Sequence, residues 1–159
     1  VLVYGSLFLG VLLACAFLYY FMRNVRVVFL IFVSIPVCLS LVILCMQLGS
    51  RSLNVISLAG MALSVGLLLD ASIIVVETIQ RLRGKGLSLT QSIRDGVTQV
   101  RGALVSSTLS SIVIFVPILL MQSNAGQLFE DLAYTISSAL IASILVALLL
   151  LPALARQLL

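Results

Sequence analysis

Five apolar runs, at about residues 1–22, 27–48, 53–80, 102–121 and 129–151, decide what this chain can become. A helix needs about 20 apolar residues to cross about 30 Å of hydrocarbon, and each run supplies them. Lipid offers no hydrogen bonds, so each span must satisfy its own backbone, which at this length means an α-helix. Composition agrees: mean hydropathy is +1.32, with 62% hydrophobic and 9% charged residues. A soluble domain of 159 residues cannot hide that much apolar surface. The expected fold is an all-α integral membrane protein of five transmembrane helices plus one cytoplasmic amphipathic helix, forming part of a larger helical bundle. The chain begins at Val1 inside an apolar run, without an initiator Met or a signal-peptide n-region, and is expected to be a piece of something longer.

Charge supplies an orientation. Arg23 and Arg26 share one loop, Arg81, Arg83, Lys85, Arg94 and Arg101 fall in the connector 81–101, and Arg156 is near the C-terminus. Five alternating spans put these eight of the nine basic residues on one side and leave Arg51 alone on the other. The positive-inside rule makes the basic side cytoplasmic, so Val1 begins outside and Leu159 ends inside. Basic residues placed this way read as topology signals facing a lipid bilayer, and no nucleic-acid partner is expected. Cys15, Cys38 and Cys45 all lie inside apolar runs and read as small packing residues. No nucleophile–base pair and no metal-ligand set stands out, so a transporter component without cofactor or metal is expected, not an enzyme.

Within the spans, Pro36 and Pro117 can kink membrane helices without breaking them. Tyr4, Tyr19 and Tyr20 sit where aromatic belts would place them. Glu130 and Asp131 stand at the expected start of the fifth span, where acids favour a helix N-terminus. In the connector, Ser88 and Gln91 fit a capping box. Leu89, Ile93, Val97, Val100 and Leu104 then recur at helical spacing, which predicts an amphipathic helix on the membrane surface leading into the fourth span.

The third span carries the chemistry. Asp70 stands eleven residues before Arg81, which at 1.5 Å per residue is about 16 Å below that surface. An ionised Asp at such depth costs at least about 2.5–3.5 kcal/mol. It persists where it faces a bundle interior and has a partner or a proton to carry. A proton site is the leading reading, and a structural acid bonded to a neighbouring hydroxyl is the alternative. Leu63, Gly66, Leu67, Ile73, Ile74 and Glu77 share the face of Asp70. Gly66 lets another helix approach closely. Glu77 reads either as an interfacial carboxylate reaching water or as part of a proton path. The fourth span holds Ser106, Ser107, Thr108, Ser110 and Ser111. These hydroxyls suit helix packing, while Thr108 or Ser111 could, by depth, relay protons to Asp70. Ser137, Ser138, Ala139, Ala142 and Ser143 form a small-residue packing face on the fifth span.

Four blocks in order resemble the resistance–nodulation–division (RND) exporters of the AcrB type. They are Gly66-x-x-x-Asp70-Ala71-x-x-x-Val75-Val76-Glu77, then Arg101-Gly102-Ala103-Leu104-Val105, Phe115-Val116-Pro117 and Leu151-Pro152-Ala153-Leu154. The resemblance covers essentially the whole chain and implies helices two to six of the N-terminal half. It further implies a proton-driven antiporter of the bacterial inner membrane that exports drugs, metals or other small molecules. In that family the fourth-helix acid, here Asp70, exchanges protons beside a Lys of the tenth helix, which would follow Leu159. The extracytoplasmic loop that binds substrate and docks partners would precede Val1. A homotrimer working with a periplasmic adaptor and an outer-membrane channel is implied as well.

Three positions depart from the family's usual patterns. Ala71 replaces the second Asp of multidrug members, Ser64 replaces an Asp of heavy-metal members, and Thr78 replaces a frequent Asn. A lipid-export or protein-translocation role in the same superfamily, and a non-transporting scaffold or gene remnant, are the alternative readings. The orientation is testable with single cysteines at positions 23, 50, 83 and 124 in a background lacking the native three. An impermeant thiol reagent added to intact cells should label positions 50 and 124 only; labelling at 83 would overturn the topology.

Overall fold

The computed structural model describes residues 12–13, 16–17, 19–20, 24–120 and 124–158, with side chains of the last segment described from 129 onward. Most of the expected first span, including Tyr4 and Cys15, lies outside the described residues. Among the described residues, the elements in order are α1 (Val25–Leu48), α2 (Val55–Gly84), α3 (Leu89–Leu119), α4 (Asn124–Leu145), a π-helical turn (Val146–Leu150) and α5 (Leu151–Leu158). Four helical stretches are long and apolar enough to cross a membrane: 25–48, 55–84, 89–119 and 129–158. The protein is an all-α integral membrane protein.

Local chemistry sets most of the ends. Asn24 caps α1 by accepting the Arg26 N–H at 3.1 Å. Ser50, with φ 52°, takes the left-handed position after α1. Its N–H donates to the Gln47 carbonyl at 3.1 Å, and the Arg51 N–H donates to the Met46 carbonyl at 2.9 Å. This paired closure is a Schellman motif, and it leaves Arg51 at the mouth of the turn. α2 opens with a full capping box: the Ser57 N–H donates to Asn54 Oδ1, and the Asn54 N–H to Ser57 Oγ, each at 2.8 Å.

Two expectations about helix continuity change. α2 runs on through Arg81 and Arg83 to Gly84, because straight-chain basic residues suit a helix and complement its C-terminal dipole. Only residues 85–88 link it to α3, with Gly86 at φ 90° making the bend. The amphipathic segment and the fourth span are therefore one 31-residue helix, not a surface helix followed by a span. Ser88 does cap it, accepting the Gln91 N–H at 3.3 Å, but the Ser88 hydroxyl donates to Gln91 Oε1 at 3.1 Å in place of the expected backbone return. At the other end, α4 starts at Asn124, so Glu130 and Asp131 sit beyond its first turn and do not serve the helix N-terminus.

Pro152 explains the π-helical turn. It has no N–H, and its ring would press on the carbonyl four residues back. The Leu151 N–H reaches instead to the Val146 carbonyl, five residues back, and the wider turn lets the helix continue to Leu158.

Packing divides the bundle into two apolar clusters. One joins Val27, Leu30 and Ile31 of α1 to Ala71, Val75, Val76 and Ile79 of α2, Val100 and Leu104 of α3, and Ala147, Leu151 and Ala155. The other joins Cys38 and Val42 of α1 to Met61 and Leu68 of α2, and Ala139, Ala142 and Val146. α3 buries only its first half, through Ser92, Gly96, Val100 and Leu104, and no residue from Val105 to Leu120 is buried. Two glycines bring backbones together. A Cβ at Gly60 would come within 3.2 Å of Leu132 and Thr135 on α4, and one at Gly96 within 3.1 Å of Ile79. Gly102 has nothing within 4 Å. Gly60→Leu should therefore cost about 1–3 kcal/mol through overpacking, while Gly102→Ala should be neutral or stabilise by up to about 1 kcal/mol. Thermal denaturation of the purified protein in detergent checks this, and equal denaturation temperatures for the two variants would contradict the α2–α4 contact.

Candidate functional site

α2 has two unlike sides. Ser57, Gly60, Met61, Ser64, Leu68, Ala71, Ser72, Val75, Val76, Thr78 and Ile79 are buried against the other helices. Leu63, Gly66, Leu67, Asp70, Ile74 and Glu77 are exposed and share one helix face, each three or four residues from another of them. Of the residues expected beside Asp70, only Ile73 is half-buried. Gly66 has nothing within 4 Å of where a Cβ would stand, so the close approach expected there is made by no described residue. Among the described residues, Gly60 and Gly96 are the glycines that bring helices together, and periodicity alone did not single them out.

Asp70 and Glu77 make no hydrogen bond or ion pair among the described residues. Ala71, one residue on, is turned about 100° around the helix and is 7% exposed. A second acid at that position would face apolar packing, not the side of Asp70. Ser64 is likewise buried, and its hydroxyl donates to the Gly60 carbonyl at 2.6 Å.

The hydroxyls of α3 suit packing, with a relay through Thr108 or Ser111 as the alternative, and those of Ser107 and Ser111 bond to their own helix. Thr108 and Ser111 are half-buried. Ser111 Oγ donates to the Ser107 carbonyl, and Ser107 Oγ to the Leu104 carbonyl, both at 3.0 Å. These bonds stay within their own helix, and no hydrogen bond joins Thr108 or Ser111 to Asp70 among the described residues. The structure thus gathers Gly66, Asp70 and Glu77 on one face and leaves Thr108 and Ser111 on a neighbouring helix.

The opposite end of the bundle holds a polar cluster that sequence reasoning missed. Arg51 donates through Nη2 to Glu130 Oε1, and through Nη1 to Asp131 Oδ1 at 3.1 Å. Asn54 Nδ2 donates to the second oxygen of Asp131 at 2.8 Å. The Tyr134 ring lies 5.6 Å from the guanidinium carbon, and its hydroxyl donates to the Cys45 carbonyl at 3.1 Å. Gly49 leaves room for that hydroxyl, since a Cβ there would stand 2.5 Å from it. The hydrogen bond to Glu130 is the chief cause that pushes the Arg51 pKa up; partial burial opposes it and Asp131 adds to it. The signal was available in the charges. The one basic residue out of place on its side, Arg51, faces the only acidic pair on that side.

Residues 2–159 match the AcrB/AcrD/AcrF family. The chain belongs to this family. It is 34% identical over 154 residues to the multidrug resistance protein MdtC of Pectobacterium carotovorum, a match covering 97% of this chain and 15% of that protein. It is 31% identical over 155 residues to the multidrug export protein AcrF of Escherichia coli, covering 97% and 15%. It is 33% identical over 150 residues to the solvent-resistant pump membrane transporter SrpB of Pseudomonas putida, covering 94% and 14%. The chain therefore spans about one-seventh of the length of these relatives.

In this RND-family chain, the Arg51 cluster ties the α1–α2 turn to α4 through side chains that are each no more than 31% exposed. Replacing Arg51 with Ala leaves two adjacent carboxylates without their cation, and should lower stability by about 1–2 kcal/mol. Glu130→Gln added to Arg51→Ala should recover part of that loss. The readout is the denaturation temperature of the purified protein, and an unchanged value for Arg51→Ala would show that the clamp contributes nothing.

Proposed function

We propose that this chain is the proton-translocating membrane part of a proton-driven RND efflux transporter, with Asp70 as the proton carrier. One observation carries the reading: the acid at mid-span stands on the only long face of α2 that no described residue covers. A carboxyl group there needs company from outside these residues. In the RND scheme that company is a Lys from the tenth helix, and Gly66, one turn away, allows the covering helix to come close. An ammonium beside the carboxylate stabilises its charge, and withdrawing the ammonium favours the neutral acid. Helix rearrangement that alternates the two loads and releases a proton. Each charge moved across about 100 mV supplies roughly 2.3 kcal/mol.

In this reading Glu77, two turns nearer the basic side, serves the cytoplasmic end of the path. Thr108 and Ser111 are the hydroxyls assigned to the relay on α3. The names of the relatives support multidrug or solvent export as the substrate class. The same scheme places the protein in the bacterial inner membrane with the basic side cytoplasmic, as a homotrimer with a periplasmic adaptor and an outer-membrane channel.

Asp70→Asn keeps the shape of the protonated acid but cannot ionise. In the full-length protein it should abolish export while leaving its amount in the membrane unchanged. Glu77→Gln should reduce export by less than about tenfold, equivalent to less than about 1.4 kcal/mol. Efflux of a fluorescent drug from cells, normalised to membrane protein, decides the matter. Export at the parental rate by Asp70→Asn would make Asp70 a structural acid.

A further inference from the structure

A cavity of about 310 Å³ lies where the start of α1 meets the end of α2, lined by Asn24, Ile79, Gln80, Arg83 and Gly84. Its position in the membrane follows from helix length. α1 has 24 residues, about 36 Å, which exceeds the hydrocarbon core by about 6 Å. Asn24, which caps its basic end, therefore reaches the headgroup layer. α2 is longer still, and its last turn from Gln80 to Gly84 ends in the same layer.

The lining has the chemistry of a phosphate site with an apolar floor. Ile79, 1% exposed, closes the bottom. Asn24 and Gln80 are half-buried and bring side-chain amides to the walls. Arg83 brings a planar guanidinium, which pairs with phosphate through two parallel N–H donors. It already makes another contact in the chain, and five N–H donors accommodate both. Arg26 and Lys85 are exposed on the same segments, Arg81 donates to Gln99 Oε1 on α3 at 3.5 Å, and the segments 24–28 and 79–86 contain no acid. Glu77 lies one turn deeper than Gln80 and is not part of the lining. Gly84 stands at the open edge of the lining, where a Cβ would meet nothing within 4 Å.

We propose that this cavity binds the phosphate headgroup of an anionic lipid on the basic side of the membrane. A basic pocket between helices at this level differs from a diffuse basic surface because two amides and an apolar side chain line it beside the guanidinium. That difference makes it testable. Native mass spectrometry of the purified full-length protein, titrated with phosphatidylglycerol or phosphatidylethanolamine, counts bound lipids and ranks their affinities. Phosphatidylglycerol should bind at least tenfold more tightly. Arg83→Gln, which removes the charge, and Gly84→Leu, which adds bulk at the open edge of the lining while leaving Arg83 in place, should each weaken phosphatidylglycerol by about tenfold and leave phosphatidylethanolamine unchanged. Arg101→Gln removes an exposed charge on the same side, outside the lining, and should change neither.

Denaturation temperatures of the variants, expected to match the parent, separate lost binding from lost folding. Undiminished phosphatidylglycerol binding by Gly84→Leu would overturn the proposal, as would equal losses in Arg101→Gln and Arg83→Gln. Displacement of phosphatidylglycerol by millimolar inorganic phosphate would assign the site to free phosphate and overturn the lipid.

Discussion

A carboxyl group at mid-membrane cannot be left to hydrocarbon, and the two-sidedness of α2 answers to that constraint. Positions 57, 60, 61, 64, 68, 71, 72, 75, 76, 78 and 79 turn inward against α1, α3 and α4, and the opposite strip carries Asp70. An isolated α2 would have to place the acid in lipid. Inside this bundle it still would, because no described residue covers that strip. In the proposed cycle the open face is where residues beyond those described bring polar company, and the small size of Gly66 marks where they can come closest.

The far end of the same helix is held by polar contacts of a different kind. Arg51, released by the Schellman closure after α1, reaches across to Glu130 and Asp131 beside the ring of Tyr134. Asn54 serves twice: its carbonyl oxygen caps α2, and its amide nitrogen holds Asp131. The start of α2 is thus fixed to α4 by charge, hydrogen bonds and an aromatic contact together. Below that point the fixing passes to small residues, first at Gly60 against Thr135 and then through Ala139 and Ala142.

Legibility in the sequence followed the type of force involved. Transmembrane helices were readable because hydrocarbon demands about 20 apolar residues in succession, and the face of Asp70 was readable because helical periodicity is geometric. Asn54 and Ser57 escaped notice, although their spacing is that of a reciprocal cap. The connector 81–101 was misjudged as a separate segment. Its charges mark departure from the membrane, and departure from the membrane does not end a helix made of Arg, Leu and Gln. Glu130 and Asp131 have the local pattern of helix-start acids, whereas their partner lies 79 and 80 residues away. Pairing of that range is invisible to any window. Only counting charges by side of the membrane could have suggested it. The same holds for Gly60 and Gly96, whose neighbours come from other helices.

Stiffness is distributed unevenly as a result. α1 and α2 share both apolar clusters, α4 joins the second, and the Arg51 clamp ties the α1–α2 turn to α4 at the end away from the first cluster. α3 buries Ser92, Gly96, Val100 and Leu104; beyond Leu104 it packs along α4 with half-buried residues such as Ile112, Phe115 and Ile118, and exposes Val105, Leu109, Val113, Ile114 and Val116. Its hydroxyls there bond to their own backbone, at Ser107 and Ser111, so they do not tie α3 to α2 at the depth of Asp70. The proposed proton cycle needs a fixed acid and a movable neighbourhood. The packing supplies the first on the back of α2 and leaves the open face for the second.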